Sequence, residues 1–215
     1  MSENSWQGIK AAHEEGADFI EVDVQLSRDG VPFLHHNYSL ADGRWCHAVD
    51  WNELKNYELE GERLPLLSEV LDWAQEAKTT ISLDLKSGFK RFGRLSMKTV
   101  QLIQDRNCWE SIMLVAWDHQ ELKHLKESFP KATTRITLFA RLVNLVDVAK
   151  ATHCDAVGLS YGVARPEDVE ELHANNIAVS LGGMWQFDLK AVQDLDIDIL
   201  CWGRPSEARQ LLGYE

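Results

Sequence analysis

The sequence predicts an α/β fold built on a parallel sheet, on three observations. Short β-rich runs recur at intervals of roughly 20 to 30 residues, with helical stretches between most of them, the spacing of βα units. Several of those stretches carry explicit start or stop signals, such as Gly16 after the first and Pro166 at the head of a late one. The composition over all 215 residues, 45% hydrophobic and 26% charged, is that of an ordinary globular chain. With no linker, low-complexity tract or internal repeat, a single domain over residues 1–215 is expected.

In chain order, a helix is expected over Ser5–Glu15, closed by Gly16, and then a strand over Phe19–Leu26. Ser27-Arg28-Asp29-Gly30 is a hairpin signal, so Val31–His36 is expected to fold back antiparallel on that strand. A helix over Ser68–Ala77 is expected to start on Ser68 as its N-cap, followed by a strand over Thr80–Lys86. Ile112–Trp117 is an apolar run of strand length. The helix Gln120–Ser128 stops before Pro130, and Arg135–Ala140 and Ala156–Tyr161 follow as strands. Pro166–Ala174 opens with proline at a first-turn position and with Glu167 and Asp168 behind it. Ile177–Leu181 and Ile197–Trp202 complete the strands.

Charge narrows the function. Lys plus Arg number 22 and Asp plus Glu 34, for a net charge of -12. Such a chain repels polyanions, which argues against nucleic acid or an anionic membrane surface as partner. An anionic substrate would need local positive charge from a bound cation or from placed Lys and Arg. No apolar run approaches the roughly 20 residues of a membrane span, and Met1–Lys10 has no signal-peptide core. Cys46, Cys108, Cys154 and Cys201 form no C-x-x-C pair. Free, mostly buried thiols are expected, which fits a reducing, cytoplasmic setting.

Candidate chemistry lies in two alternating strands. Ile20, Val22, Val24 and Leu26 share one face, and Glu21, Asp23 and Gln25 the other. Ser82, Asp84 and Lys86 likewise share a face. One reading is an antiparallel sheet with a wet side, where such alternation is routine. The other is a pocket in which converging carboxylates need a hard divalent cation with oxygen ligands. The βα spacing favours the pocket. His36 ends the hairpin strand beside Glu21 and Asp23 and is a candidate acid or base; His35 must face the opposite way. His119 ends another strand, next to Asp118, which has an equally good reading as a helix cap.

These residues resemble the glycerophosphodiester phosphodiesterase family. The resemblance runs through Glu3-Asn4-Ser5, Gly16-Ala17-Asp18-Phe19-Ile20-Glu21-Val22-Asp23-Val24, Asp29-Gly30-Val31-Pro32 and His36. It continues through Leu64–Leu71, Leu83-Asp84-Leu85-Lys86, Trp117–Leu122 and Arg204-Pro205, in the family's order across nearly the whole chain. It implies a (β/α)8 TIM barrel, a bound Ca²⁺ or Mg²⁺, and cleavage of glycerophosphodiesters to glycerol 3-phosphate and an alcohol. On this resemblance the metal ligands fall on Glu21, Asp23 and Asp84, the hairpin histidine on His36 and the strand lysine on Lys86.

The chain also departs from the family. The family opens on a strand ending in His-Arg-Gly, whereas this chain begins within the next motif, so a barrel lacking its first strand is expected. A barrel of this kind typically takes about 250 residues. Asp84 stands where the family has Glu, and Asn37 where it has Asp. Ser180-Leu181-Gly182-Gly183 and Cys201-Trp202-Gly203 replace family motifs near the C-terminus. A non-catalytic barrel that binds a phosphorylated small molecule is therefore the alternative.

Overall fold

The computed structural model describes residues 3–88, 93–182 and 192–213, in two compact units, Met1–Ala116 and Trp117–Glu215. The first opens with helix α1 (Trp6–Glu14), whose N-cap Ser5 accepts a hydrogen bond from the Gly8 amide at 2.9 Å. Gly16, at φ 81°, ends it: its amide bonds to the His13 carbonyl and that of Ala17 to Ala12, both at 3.0 Å. This pair of bonds is a Schellman cap, as the glycine predicted.

Strand β1 (Phe19–Leu26) pairs antiparallel with β2 (Pro32–Leu34) through Val24↔Leu34, Gln25↔Phe33 and Leu26↔Pro32. The connection is the expected hairpin. Gly30 takes φ 88°, and the Ser27 hydroxyl accepts from the Val31 amide at 2.8 Å. The second strand is shorter than the expected Val31–His36, because the chain turns away into an excursion. That excursion carries a helical turn, α2 (Trp51–Leu54), and a small hairpin of β3 (Glu58–Leu59) and β4 (Glu62–Arg63). It has its own apolar centre of Phe33, Leu40, Cys46, Val49, Leu54 and Leu64.

Helix α3 (Leu67–Ala77) precedes β5 (Thr80–Leu85), α4 (Arg94–Arg106) and β6 (Ile112–Ala116). The expected Ser68 cap is not used. The N-cap lies two residues earlier, on Leu66, which offers no side-chain cap, and Leu67, the first helical residue, is fully buried. Burial of a leucine outweighs a serine cap worth about 1 kcal/mol. Within this unit the strand order is β2-β1-β5-β6, with β1, β5 and β6 parallel. The antiparallel, one-side-wet reading of the polar rows is thereby overturned: Glu21 lies opposite Ser82 and Asp23 opposite Asp84 on parallel neighbours. Their other face, with Ile20, Val22, Val24, Ile81, Leu83 and Leu85, is buried.

The second unit runs α5 (His119–Ser128), β7 (Thr133–Leu138), α6 (Leu145–Thr152), β8 (Ala156–Ser160), α7 (Pro166–His173), β9 (Ala178–Gly182), β10 (Ile199–Leu200) and α8 (Pro205–Leu212). Strands β7 to β10 are parallel neighbours in sequence order. Pro166 sits in the first turn of α7 as expected. Strand β10 is shorter than Ile197–Trp202, because only Ile199 and Leu200 pair with β9.

Asp118 caps α5, accepting from the Gln120 and Glu121 amides at 3.1 Å each. Asp118→Ala is expected to cost about 1 kcal/mol, a fall in melting temperature of roughly 2–4 °C for a domain of this size. Asp118→Ser should restore most of it in the same melt. All four cysteines are free, three of them buried. No helix among the described residues is long and apolar enough to cross a membrane.

Candidate active site

The site begins with strand register. Parallel pairing puts Asp23 and Asp84 directly opposite each other, and the backbone amide of Lys86 donates to the Val24 carbonyl at 3.0 Å. Two facing carboxylates repel, and Lys86 lies between them. Its Nζ stands 2.7 Å from Asp23 Oδ1 and 2.5 Å from Asp84 Oδ2. The lysine and Asp84 are buried. Burial acts to lower the lysine's proton affinity, but the two carboxylates outweigh it and hold the ammonium charged well above its ordinary range.

Asp84 is pulled both ways. Burial is the largest influence, and Asp23 and Glu21 add to it, so despite Lys86 its carboxyl is pushed up to about 6. The geometric reason is visible: Asp84 Oδ1 is buried and has no hydrogen-bond partner.

The remaining oxygen of Asp23 is also taken. Asn4 Nδ2 donates to Asp23 Oδ2 at 2.7 Å, and Asn4 Oδ1 accepts from the Asp23 amide at 2.7 Å. Asn4 holds a left-handed backbone at φ 58°, a conformation asparagine tolerates better than most residues. Its role as a clamp on Asp23 is a residue function the sequence did not disclose. The available signals were its place just before the N-cap of α1 and its part in the Glu3-Asn4-Ser5 match to the family.

Of the expected site residues, Asp23, Asp84 and Lys86 are brought into contact. Glu21 lies one step back along β1 and is exposed, and it acts on Asp84 through its charge. His36 lies past the end of β2, with its side chain 42% exposed and Nδ1 3.7 Å from Glu3 Oε1. Its Nδ1 also stands 3.3 Å from Asn37 Oδ1, the position where the family carries an acid. His35 points the other way as expected: it is buried, with Nδ1 2.8 Å from the Asn37 carbonyl. His119 is held against the Thr137 carbonyl at 3.2 Å, which favours a structural part for it.

Among the described residues no three His, Cys, Asp or Glu side chains are grouped to hold a metal ion. The donor chemistry still fits a hard cation. Glu21, Asp23 and Asp84 offer only oxygen, and Asp84 Oδ1 is a buried acceptor with no hydrogen-bond partner.

The second unit joins two of the C-terminal departures. Arg135 on β7 is buried, and its Nη1 donates to Ser180 Oγ at 2.9 Å and lies 3.3 Å from Cys201 Sγ. A side chain at Gly182 would meet Cys201 Cβ at 2.9 Å, so the glycine permits this approach. Gly183 lies outside the described residues.

Parallel strands alternating with helices define an α/β fold, and a lysine held between strand carboxylates gives its first unit a charged site. A solved structure of a glycerophosphodiester phosphodiesterase from Parabacteroides distasonis shares a TIM-barrel fold with this chain, with a TM-score of 0.88 and 21% identity over 98% of this chain and 90% of that one. An Oleispira antarctica phosphodiesterase in complex with sn-glycerol-3-phosphate has a TM-score of 0.87 and 17% identity over 98% and 91%. In sequence, a glycerophosphodiester phosphodiesterase of Caldanaerobacter subterraneus is 25% identical over 189 residues, 82% of this chain and 78% of that protein. The model of the glycerophosphoryl diester phosphodiesterase family matches residues 1–200, and the chain belongs to that family.

Proposed function

We propose that this chain hydrolyses glycerophosphodiesters to glycerol 3-phosphate and an alcohol, with residues 1–215 acting as one barrel domain in a cytoplasmic setting. The observation that carries the reading is the buried Lys86 ammonium between Asp23 and Asp84. In a chain of net charge -12, Lys86 supplies placed positive charge for a phosphodiester. Glu21, Asp23 and Asp84 would hold Ca²⁺ or Mg²⁺, which when bound lowers the pKa of the glycerol hydroxyl. His36, on the exposed end of the hairpin, accepts the proton of that hydroxyl as its oxygen attacks phosphorus; the bond from phosphorus to the alcohol breaks, the alcohol leaves with a proton from solvent, and water then opens the resulting cyclic phosphate to glycerol 3-phosphate. Asn4 keeps the Asp23 carboxylate in one orientation throughout.

The test is release of glycerol 3-phosphate from glycerophosphocholine, with Ca²⁺ or Mg²⁺ and with chelator. Cation-dependent release that falls at least about 10²-fold in His36→Ala is expected, the size usual for a general base. No release with either cation, from protein shown to be folded, would overturn the reading. The alternative is a barrel that binds the phosphorylated molecule without cleaving it. It draws on Asn37 at an acidic position, and it would show glycerol 3-phosphate binding without turnover.

A further inference from the structure

We propose that the ring of Tyr38 forms a subsite for the departing alcohol and selects an alcohol that carries a quaternary ammonium, such as choline. The proposal rests on the hydrolysis proposed above and narrows its alcohol from any to a cationic one.

Gln25, the third polar residue of β1, is fully buried. Its Nε2 donates to the Asn37 carbonyl at 2.9 Å, and His35 Nδ1 lies 2.8 Å from the same oxygen. One residue on, the Tyr38 carbonyl accepts from the Cys46 amide at 3.0 Å. The peptide groups on both sides of Tyr38 are therefore held, and its ring is placed before any ligand arrives.

That stretch of backbone crosses β1. The His35 amide donates to the Asp23 carbonyl at 3.0 Å on one edge of the strand, and the Lys86 amide to the Val24 carbonyl at 3.0 Å on the other. Three residues after His35, the Tyr38 ring has reached the Lys86 side. A side chain at Gly88 would meet Tyr38 Cε1 at 3.6 Å and Cδ1 at 3.8 Å, and the Gly88 amide donates to the Lys86 carbonyl at 3.0 Å. The ring thus lies on the turn that follows Lys86. Tyr38 is 37% exposed there, which leaves ring area for a ligand.

In an in-line displacement the attacking and leaving oxygens stand on opposite sides of phosphorus. His36, which takes the proton of the attacking hydroxyl, belongs to the hairpin edge of β1. The alcohol therefore departs towards the β5 edge, where the Tyr38 ring lies. An aromatic face attracts a cation, and a quaternary ammonium has no N–H that needs a partner, so a ring alone can serve it. The surrounding charge favours the same sign, since Glu21 is exposed on this strand face in a chain of net charge -12. A neutral alcohol gains neither effect.

Calorimetric titration of the full chain with glycerophosphocholine and with glycerophosphoglycerol, whose alcohol is uncharged, tests this. It is run in Ca²⁺ on His36→Ala protein, so that turnover is slow. The choline ester should bind about 5-fold more tightly, the worth of one cation–π contact. Tyr38→Phe keeps the ring and should keep that ratio. Tyr38→Leu keeps an apolar side chain over Gly88 without a π face, and should bring the ratio to about one with glycerophosphoglycerol little affected. The readout is a ratio within one variant, so a general loss of stability does not imitate it.

Equal affinities in the parent protein, a ratio that survives Tyr38→Leu, one that is lost in Tyr38→Phe, or no binding of either ester would overturn the subsite. Preference for the choline ester without hydrolysis by protein that carries His36 would sink the proposed activity and leave the subsite standing. Hydrolysis of both esters with equal kcat/KM would do the reverse.

Discussion

Lys86→Met is expected to destabilise the metal-free protein by about 3–5 kcal/mol, the cost of breaking a buried pair from one side. For a domain of this size that is a drop of roughly 10 °C in melting temperature. Methionine fills much of the same space, so packing is nearly kept and the loss isolates the charge. What remains is Asp23 opposite Asp84 in the strand register, two acids with no cation between them. Thermal melts in chelator check this, and a loss under about 1 kcal/mol would mean that water already neutralises the pair.

Asp84→Asn should have the opposite profile. Removing Asp84 leaves Lys86 with Asp23 at 2.7 Å, so no charge is stranded. The wild-type carboxyl is pushed up to about 6 chiefly by burial. The sign follows from linkage. A folded value above the unfolded one means the native state favours the protonated acid, so its contribution to stability declines as pH rises from about 4 to about 6 and stays low above that. A neutral amide escapes that decline. Asp84→Asn should therefore melt at or above the wild-type temperature at pH 7.5, and the difference should shrink on acidification towards pH 4. Hydrolysis should nonetheless fall on the order of 10²–10³-fold, because a carboxylate serving the cation and ordering Lys86 has gone. A variant that is both less stable and fully active would contradict the assignment of Asp84 to the site.

Much of this was legible from local signals. The Asp29-Gly30 turn, Gly16 and Pro166 each specify a backbone event within a few residues, and each occurs where expected. Alternation put Asp84 and Lys86 on one strand face and Glu21 and Asp23 on another. Alternation does not say which strand lies beside which, nor in what register. The contact from Lys86 sideways to Asp23 depends on both, so the lysine was foreseen as a site residue and not as the bridge between acids. The Ser68 cap failed for a similar reason, since full burial of Leu67 is a tertiary fact. Helix α4 starts from Gly93 in a left-handed conformation with no side-chain cap, which leaves little for a sequence to announce. Arg135 sat unremarked in an ordinary strand pattern, and only the fold brings Ser180 and Cys201 to it.

The pairing of Asp23 with Asp84 has a consequence for how this site can fail. Side chains alternate with a period of two, so a slip of one residue between β1 and β5 would turn a whole strand over. Ile81 and Leu83 would then face the polar side, and Asp23 would part from Asp84 and Lys86. The greasy and the charged residues are thus proofread together. A chain with the wrong register forfeits its core before it can display a faulty catalyst, and misfolded copies of this protein should be conspicuous as unstable, not as slow.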